Sequence, residues 1–210
     1  MDQNLNEFDI KAKDWDKNKV NLERAQAIAN QLKEIIPNLP GMKAMEFGAG
    51  TALLSFILRD LFSSICLIDN SPEMIRICKE KIEATKSEHI FAINIDLETD
   101  NFEEKFDLIY SQMAFHHLLD IEGMIHKLYG LLNESGILAV ADLYPEDGSF
   151  HGEGFTGFKG FDPEQLSNSM HQAGFRIVKY KKCFVQKKVE PDGKQKEYPV
   201  FLIIAKKISE

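Results

Sequence analysis

The residues with the clearest chemical potential lie at a predicted turn between a strand and a helix. Gly48, Ala49 and Gly50 follow the apolar strand 43–47, and a helix is predicted to begin directly after them. Glycines at such a turn allow a ligand to approach the backbone closely, and the first N–H groups of the helix are donors for the same ligand. Glu46 adds a carboxylate just before the turn. This run predicts a binding loop for a cofactor.

A second carboxylate, Asp69, ends the next predicted strand, 21 residues after Gly48. A carboxylate at that place can accept hydrogen bonds from both hydroxyls of a ribose, so the pattern fits any adenosine-type cofactor, including NAD. Two residues count against NAD. Leu53 stands where the dinucleotide fingerprint has its third glycine, and Glu46 would repel a pyrophosphate. The same acid suits the ammonium group of a methionine tail.

The bulk composition restricts the partners that we expect. The chain has 210 residues, 44% of them apolar, and a net charge of -8, which suits one α/β domain with modest extras. An acidic surface repels phosphate backbones, so nucleic acid is not an expected partner. The sequence contains neither a membrane-spanning apolar run nor the apolar core of a signal peptide. We therefore expect a cytoplasmic protein that acts on a small molecule, and the oligomeric state stays open.

The predicted elements alternate along the chain, which indicates a mostly parallel sheet wrapped by helices. The turn Glu190-Pro191-Asp192-Gly193 predicts a hairpin between the last two strands, so the sheet should end in an antiparallel strand. Pro37 and Pro40 should end the first helix. The predicted strands cover 43–47, 65–68, 89–93, 106–111, 136–141, 175–189 and 197–207, and the predicted helices cover 18–36, 51–61, 71–85, 121–132 and 162–173.

Several motifs in this order carry a family resemblance. The segments MEFGAGTA, LIDNSPEMI, IDLET, FDLIYSQMAFHHL and LLNESGILAVADL resemble class I S-adenosylmethionine-dependent methyltransferases of the small-molecule branch, over about residues 43–180. The resemblance implies an α/β, Rossmann-like three-layer sandwich with a seven-stranded, mostly parallel sheet of order 3-2-1-4-5-7-6, the last strand antiparallel. It also implies direct displacement of a methyl group from S-adenosyl-L-methionine to an unidentified small-molecule acceptor.

The resemblance further implies which residues bind the cofactor. Ala52 stands where the family often has a third small residue, usually glycine. The expected cofactor contacts are Glu46, Gly48, Ala49 and Gly50 for the methionine part, Asp69 for the ribose hydroxyls, Asn70 and Met74 near the ribose and adenine, Asp96 and Leu97 for the adenine, and Ser111 with Gln112 for the methionine carboxylate or the reaction centre.

The acceptor side is defined by fewer residues. Family members often carry an aromatic or histidine pair after the fourth strand, where this chain has His116 and His117, and His151 lies in the long glycine-rich loop 145–161. These three histidines are the candidate catalytic residues, as a general base or as residues that shape the pocket. We expect no metal site, because sequence neighbours point in different directions and the other candidate ligands are scattered. Metal-dependent family members also need an acid where Ser111 stands.

The expected domain organisation follows from the same elements. Residues 1–40 should form an N-terminal helical cap and residues 41–210 the methyltransferase domain, with a substrate-cover loop at about 143–161. Aromatic side chains of the cap and the loop could line the acceptor pocket: Phe8, Trp15, Phe115, Tyr144, Phe150, Phe155 and Phe158. Two alternatives stay open, an NAD-dependent oxidoreductase and a catalytically inactive fold-mate that binds the cofactor or a protein partner.

Overall fold

The computed structural model describes residues 7–36, 40–189 and 193–208. Pro37, which was expected to end the first helix, and residues 190–192 of the predicted hairpin turn lie outside the described residues. The chain divides into two compact units, residues 1–102 and 103–210. Each unit holds some of the predicted site residues.

Seven strands are present among the described residues, and they confirm the predicted fold class. They are β1 (Lys43–Phe47), β2 (Ser64–Asp69), β3 (Ile90–Asn94), β4 (Phe106–Gln112), β5 (Leu132–Leu143), β6 (Phe175–Val189) and β7 (Gln195–Lys207). The sheet order is β3-β2-β1-β4-β5-β7-β6. β7 runs antiparallel to both of its neighbours, so the sheet has the expected Rossmann-like order and the expected antiparallel last strand.

The helices also follow the predicted alternation. They are α1 (Glu7–Lys11), α2 (Lys19–Ile35), α3 (Leu53–Leu58), α4 (Pro72–Thr85), α5 (Ile121–Leu131) and α6 (Pro163–Gln172), with 3-10 segments at Ala12–Lys17, Arg59–Leu61 and Phe115–His117. In the described part of the chain, no helix combines the length and the apolar character that crossing a membrane requires. The largest departure from prediction is β5, which starts at Leu132 opposite Phe106 and is twice the expected length.

The first unit is built on three parallel strands, β1, β2 and β3. Phe47 lies opposite Ile68, and Asp69 lies opposite Asn94. Strands β1 and β2 are buried over nearly their whole length, as expected of parallel strands with both faces covered. Because the carboxyl ends of parallel strands share one edge of a sheet, the register brings the loop after β1 next to Asp69.

The beginning of α4 is fixed by side chains from two elements. Ser71 caps the helix as predicted, since its Oγ accepts the N–H of Met74 at 3.2 Å, and Pro72 occupies the first helical turn. Asp9 of α1 is buried and accepts the hydroxyl of Ser71 at 2.6 Å. The N-terminal helix is therefore docked on the start of α4, beside the end of β2.

The second unit contains a long loop that folds back between β5 and α6. Phe158 donates its N–H to the carbonyl of His116 at 2.8 Å, and Phe161 donates to Leu143 at 2.8 Å. Gly157 lies so close that a Cβ atom there would stand 2.2 Å from the carbonyl oxygen of His116. This position therefore requires glycine, because a backbone oxygen cannot move aside as a flexible side chain can.

We predict that Gly157→Ala destabilises the protein, since the added methyl group must displace the loop or the backbone of His116. Steric overpacking of this kind typically costs about 1–3 kcal/mol. The matched control is Gly130→Ala in α5, where a Cβ would meet nothing within 4 Å and alanine should stabilise the helix by about 0.5–1 kcal/mol. Urea unfolding monitored by circular dichroism measures both. Equal stability of the two variants would contradict the close approach at Gly157.

Candidate functional site

The loop after β1 adopts the backbone conformations that its glycines permit. Gly48 has φ 65° and Gly50 has φ 54°, both in the left-handed region. Ala49, between them, donates its N–H to the carbonyl of Ile68 at 2.9 Å. The loop is thus pinned to the end of β2 by its central residue while both glycines turn the chain toward α3.

Ala52 shows why the family resemblance points to a glycine at its position. It has φ 61° and ψ 34° and is the N-cap residue of α3. A non-glycine residue in this left-handed conformation costs about 1–2 kcal/mol. Ala52 is fully buried, so packing offsets part of that cost and the small side chain fits without disturbing the loop.

The carboxylate of Asp69 joins the two loops that follow β1 and β2. Its Oδ2 accepts the N–H of Gly50 at 2.7 Å, and its Oδ1 accepts the N–H of Ser71 at 2.8 Å. Burial raises the pKa of the Asp69 carboxyl, although these two N–H groups act in the opposite direction. Each carboxylate oxygen can accept a second hydrogen bond. Asp69 can therefore hold the loop and still receive the two hydroxyls of a ribose.

Three side chains surround Gly50. A Cβ at that residue would lie 3.9 Å from Trp15 Nε1 and 4.0 Å from Met74 Sδ. The thiol of Cys78 donates to the carbonyl of Gly50 at 3.1 Å, and burial raises the pKa of this thiol, which keeps it a hydrogen-bond donor. The predicted cofactor residue Met74 and the cap residue Trp15 are thus both brought to the glycine loop.

A network that the sequence analysis missed fixes Thr51, the first residue after the glycines. Thr51 Oγ1 donates to Asp16 Oδ1 at 2.5 Å, and Lys81 Nζ lies 2.6 Å from Asp16 Oδ2. Lys81 also donates to the carbonyl of Thr51 at 2.6 Å. The only available signal was the position of Asp16 beside Trp15, because its partners lie 35 and 65 residues away along the chain.

Glu46 is fully buried and is held by the first turns of α3. Its Oε2 accepts the N–H of Ser55 at 3.2 Å and the hydroxyl of Ser55 at 2.5 Å. A negative charge beside the N-terminal end of α3 interacts favourably with the dipole of that helix. The predicted contact of Glu46 with the methionine ammonium stays a prediction, and the structure gives this acid a helix-positioning contact as well.

The remaining predicted cofactor residues lie in different surroundings. Asp96 accepts at Oδ1 the N–H of Glu98 at 2.9 Å, which fixes the turn after β3. Leu97 is buried and Asn70 is exposed. Ser111 belongs to the second unit, where it is buried and its hydroxyl has no hydrogen-bond partner in the part of the chain that the structure describes. Their contacts with the cofactor stay predictions.

The candidate catalytic residue His116 is held by a buried carboxylate. Its Nδ1 lies 2.6 Å from Asp142 Oδ1, and both side chains are within 1% of complete burial. Asp142 also accepts the backbone N–H groups of His116 at 3.3 Å and of Leu143 at 2.7 Å. The arrangement fixes the ring of His116. The signal for it was weak, because Asp142 lies at the end of β5, 26 residues after the histidine.

The second unit brings all three candidate histidines together. The ring centroids of His116 and His117 are 4.2 Å apart, and His151 lies 4.9 Å from the first and 5.0 Å from the second. One potential ligand atom from each residue lies within 4.8 Å of the others. The sequence-based premise that these residues lack a ligand-like arrangement is therefore wrong. His116 and His117 share a 3-10 turn, and the loop 145–161 folds back onto them.

Aromatic rings and a cavity border this cluster of His116, His117 and His151. Phe155 stacks on His151 with centroids 4.0 Å apart, and Phe150 contacts the same ring edge-on at 4.9 Å. His151 and Phe155 also line a cavity of about 720 Å³ within the second unit. Apolar rings thus pack against His151, and the same residue borders the cavity.

The other aromatic residues that were expected to line an acceptor pocket are distributed over both units. Phe8 packs edge-on against Trp15 at 6.2 Å, and Tyr144 packs edge-on against Phe201 at 5.5 Å. Phe158 contacts Phe161 at 5.3 Å. Phe150 and Phe155 contact the candidate histidines through their rings.

The sequence of this chain is similar to those of known methyltransferases. A family model described as a methyltransferase domain matches residues 45–138. An uncharacterized methyltransferase of Schizosaccharomyces pombe is 30% identical over 150 residues, which are 63% of this chain and 53% of that protein. A malonyl-acyl-carrier-protein O-methyltransferase of Ilyobacter polytropus is 36% identical over 97 residues, which are 45% of this chain and 35% of that protein. The matches thus span about half or less of these relatives.

The fold of this chain is also found in solved structures. A protein described as a methyltransferase, in complex with the Trm112 methyltransferase activator of Haloferax volcanii, has a TM-score of 0.75 and 16% identity. The similarity covers 97% of this chain and 98% of that chain. At this level of identity, the likeness shows that the two chains share a fold over nearly their whole length.

We predict that Ser55→Ala destabilises the protein by about 1.5–3 kcal/mol, the typical value of a hydrogen bond to a charged group, because Glu46 is buried and loses the Ser55 hydroxyl. The matched control is Ser167→Ala, since the Ser167 hydroxyl is buried without a hydrogen-bond partner among the described residues. Thermal and urea unfolding of both variants measure the effect. If Ser167→Ala lost as much stability as Ser55→Ala, the hydrogen bond from Ser55 to Glu46 would not be the cause of the loss.

Proposed function

We propose that this chain is a class I S-adenosylmethionine-dependent methyltransferase, which binds S-adenosyl-L-methionine and transfers the methyl group to a small-molecule acceptor. The observation that carries the proposal is the Asp69 carboxylate, which lies at the end of β2 and holds the N–H of Gly50 at 2.7 Å. This arrangement leaves carboxylate lone pairs for a ribose beside a glycine loop that a ligand can approach closely.

The residues of the first unit fit such a cofactor. Asp69 would accept the ribose hydroxyls, and the loop from Gly48 to Gly50 would receive the methionine part. Met74, next to Gly50, offers an apolar contact at the ribose or adenine. Asp96 would accept the adenine amino group. Two further acids, Asp9 and Asp16, hold the cap helix and the loop, so the cofactor contacts would be fixed before binding.

The bound cofactor supplies a methyl group on a positively charged sulfur, which is already activated toward a nucleophile. The chain therefore has to orient the acceptor and exclude water, and positioning alone can supply much of the acceleration. His116, His117 and His151 remain the residues that we propose for contact with the acceptor. The three histidines lie together in the second unit, and His151 with its stacked partner Phe155 borders a cavity of about 720 Å³. This combination of imidazole and apolar rings suits a small molecule with both polar and apolar parts.

We predict that Asp69→Asn weakens the binding of S-adenosyl-L-methionine by about 10–100-fold, because the ribose loses its charged acceptor and each such bond is worth about 1.5–3 kcal/mol. Isothermal titration calorimetry measures the affinity, with circular dichroism to establish that the variant is folded. Asp60→Asn is the matched control, since the Asp60 side chain is 87% exposed and should leave the affinity unchanged.

Two outcomes of this experiment would count against the proposal. Folded wild-type protein that binds NAD and not S-adenosyl-L-methionine would favour the oxidoreductase. Binding of S-adenosyl-L-methionine without formation of S-adenosylhomocysteine, over a panel of small hydroxyl, amine, thiol and carboxylate acceptors, would favour the inactive fold-mate. The proposal expects S-adenosylhomocysteine from wild-type protein and Asp60→Asn, and much less from Asp69→Asn at limiting cofactor concentration.

We predict that cofactor affinity falls on acidification. The fall should begin at a higher pH than it would if Asp69 had the pKa of an ordinary aspartate. Only the ionised Asp69 carboxylate accepts from both ribose hydroxyls, and burial raises its pKa above the ordinary value of 3.8. Asp69 is therefore protonated at a higher pH than an ordinary aspartate, and the ribose then loses its hydrogen-bond acceptor. Titrations from neutral to mildly acidic pH should show this decline in wild-type protein and a flatter profile in Asp69→Asn. The same decline in both proteins would contradict the assignment.

A further inference from the structure

We propose that His116, His117 and His151 form a binding site for a divalent transition-metal ion of the zinc class. The site lies wholly within the second unit, and it goes beyond the proposed function because metal binding requires neither cofactor nor methyl transfer. Each histidine offers one ring nitrogen, and these three atoms lie within 4.8 Å of one another. Imidazole nitrogens are the ligands that zinc, copper and nickel prefer over magnesium or calcium.

The ring of His116 is oriented by the carboxylate of Asp142. Asp142 lies 2.6 Å from Nδ1, and a carboxylate can only accept hydrogen bonds, so Nδ1 carries the hydrogen of the neutral ring. Nε2 then holds the lone pair that a metal ion needs. A carboxylate on the far nitrogen is the arrangement that orients metal-bound histidines in proteins and increases their basicity. Asp142 would therefore act as a positioning residue and not as a ligand.

The other ring nitrogen of His116 lies in a buried position. Nε2 of His116 is buried and has no hydrogen-bond partner within the described residues, and the His116 side chain is 1% exposed. A buried polar atom without a partner costs about 1–3 kcal/mol. A purely aromatic cluster would leave this cost in place, whereas a bound metal ion would satisfy the lone pair. The orphaned nitrogen therefore favours a ligand at this point.

The distances permit closure around one ion. In a tetrahedral zinc site with bonds of about 2.0–2.1 Å, ligand nitrogens stand roughly 3.4 Å apart. The observed separations of up to 4.8 Å require shifts of about 1.4 Å or less between pairs of ligand atoms. His151 can supply this movement, because it lies in the loop and Gly152 follows it directly. The buried pair His116 and Asp142 would stay in place.

The surroundings suggest an open coordination position. Three protein ligands are the number found in zinc sites that keep a fourth position for an exogenous ligand. The cavity of about 720 Å³ that His151 and Phe155 border provides room and a route for it. That ligand would carry an oxygen, nitrogen or sulfur donor. The rings of Phe150 and Phe155 around His151 would limit the access of water on the other side.

The experiment uses the full chain, freed of metal by dialysis against a chelator and then against buffer. Zinc chloride titrated by calorimetry should bind with a stoichiometry of one ion per chain, and added zinc should raise the thermal unfolding temperature. His151→Ala and His117→Ala should each weaken zinc binding by at least about tenfold. Asp142→Asn should weaken it by about 10–100-fold, which is typical when the hydrogen-bond partner of a metal-binding histidine is replaced. His126→Ala is the matched control, because His126 is an exposed histidine of α5 and should bind zinc as wild-type protein does.

Cobalt chloride gives an independent readout of the ligands. Cobalt substitution should produce the visible absorption of a tetrahedral site without a thiolate charge-transfer band, which excludes the three cysteines as ligands. Failure of folded wild-type protein to bind zinc, or equal binding by His151→Ala and His126→Ala, would overturn the proposal. If His117→Ala fails to fold, His151→Gln and His151→Ala still test whether the histidines bind zinc. His151 lies in a loop, so we expect these two variants to fold. Zinc binding would stand even if no methyl transfer were found.

Discussion

The carboxylate of Asp69 accepts N–H groups from two separate loops, at Gly50 and at Ser71. This contact holds the glycine loop in its left-handed conformation and places it beside the start of α4. The cap helix docks on the same point through Asp9 and Ser71, and Asp16 with Lys81 ties the next residue, Thr51. The organisation of the first unit around the glycine loop therefore depends on one half-buried carboxylate that also keeps lone pairs for a ligand.

Much of this unit could be predicted because its signals are local. The strand before the glycines, the cap formed by Ser71 and Pro72, and the position of Asp69 at a strand end all follow from short-range propensities and register. The sheet order came from the family resemblance and is confirmed. Ala52 illustrates a finer point, since only the structure shows that its backbone is left-handed and hence why glycine is usual there.

The second unit was harder to read because its contacts are long-range and its loop has no periodicity. The spacing of His116, His117 and His151 gives no hint that they meet. They do so because a 3-10 turn holds His116 and His117 together, and because Gly157 allows the loop to lie against the backbone of His116. Asp142 looked like one scattered acid, yet it is the buried partner of His116. Such a cluster is visible only once the loop is folded.

The most direct test of the central claim is a crystal structure of the full chain with S-adenosylhomocysteine. The account predicts that both ribose hydroxyls hydrogen-bond to the Asp69 carboxylate, while the N–H of Gly50 keeps its bond to the same side chain. A nucleoside bound away from Asp69, or a glycine loop that releases Asp69 when the ligand binds, would contradict it.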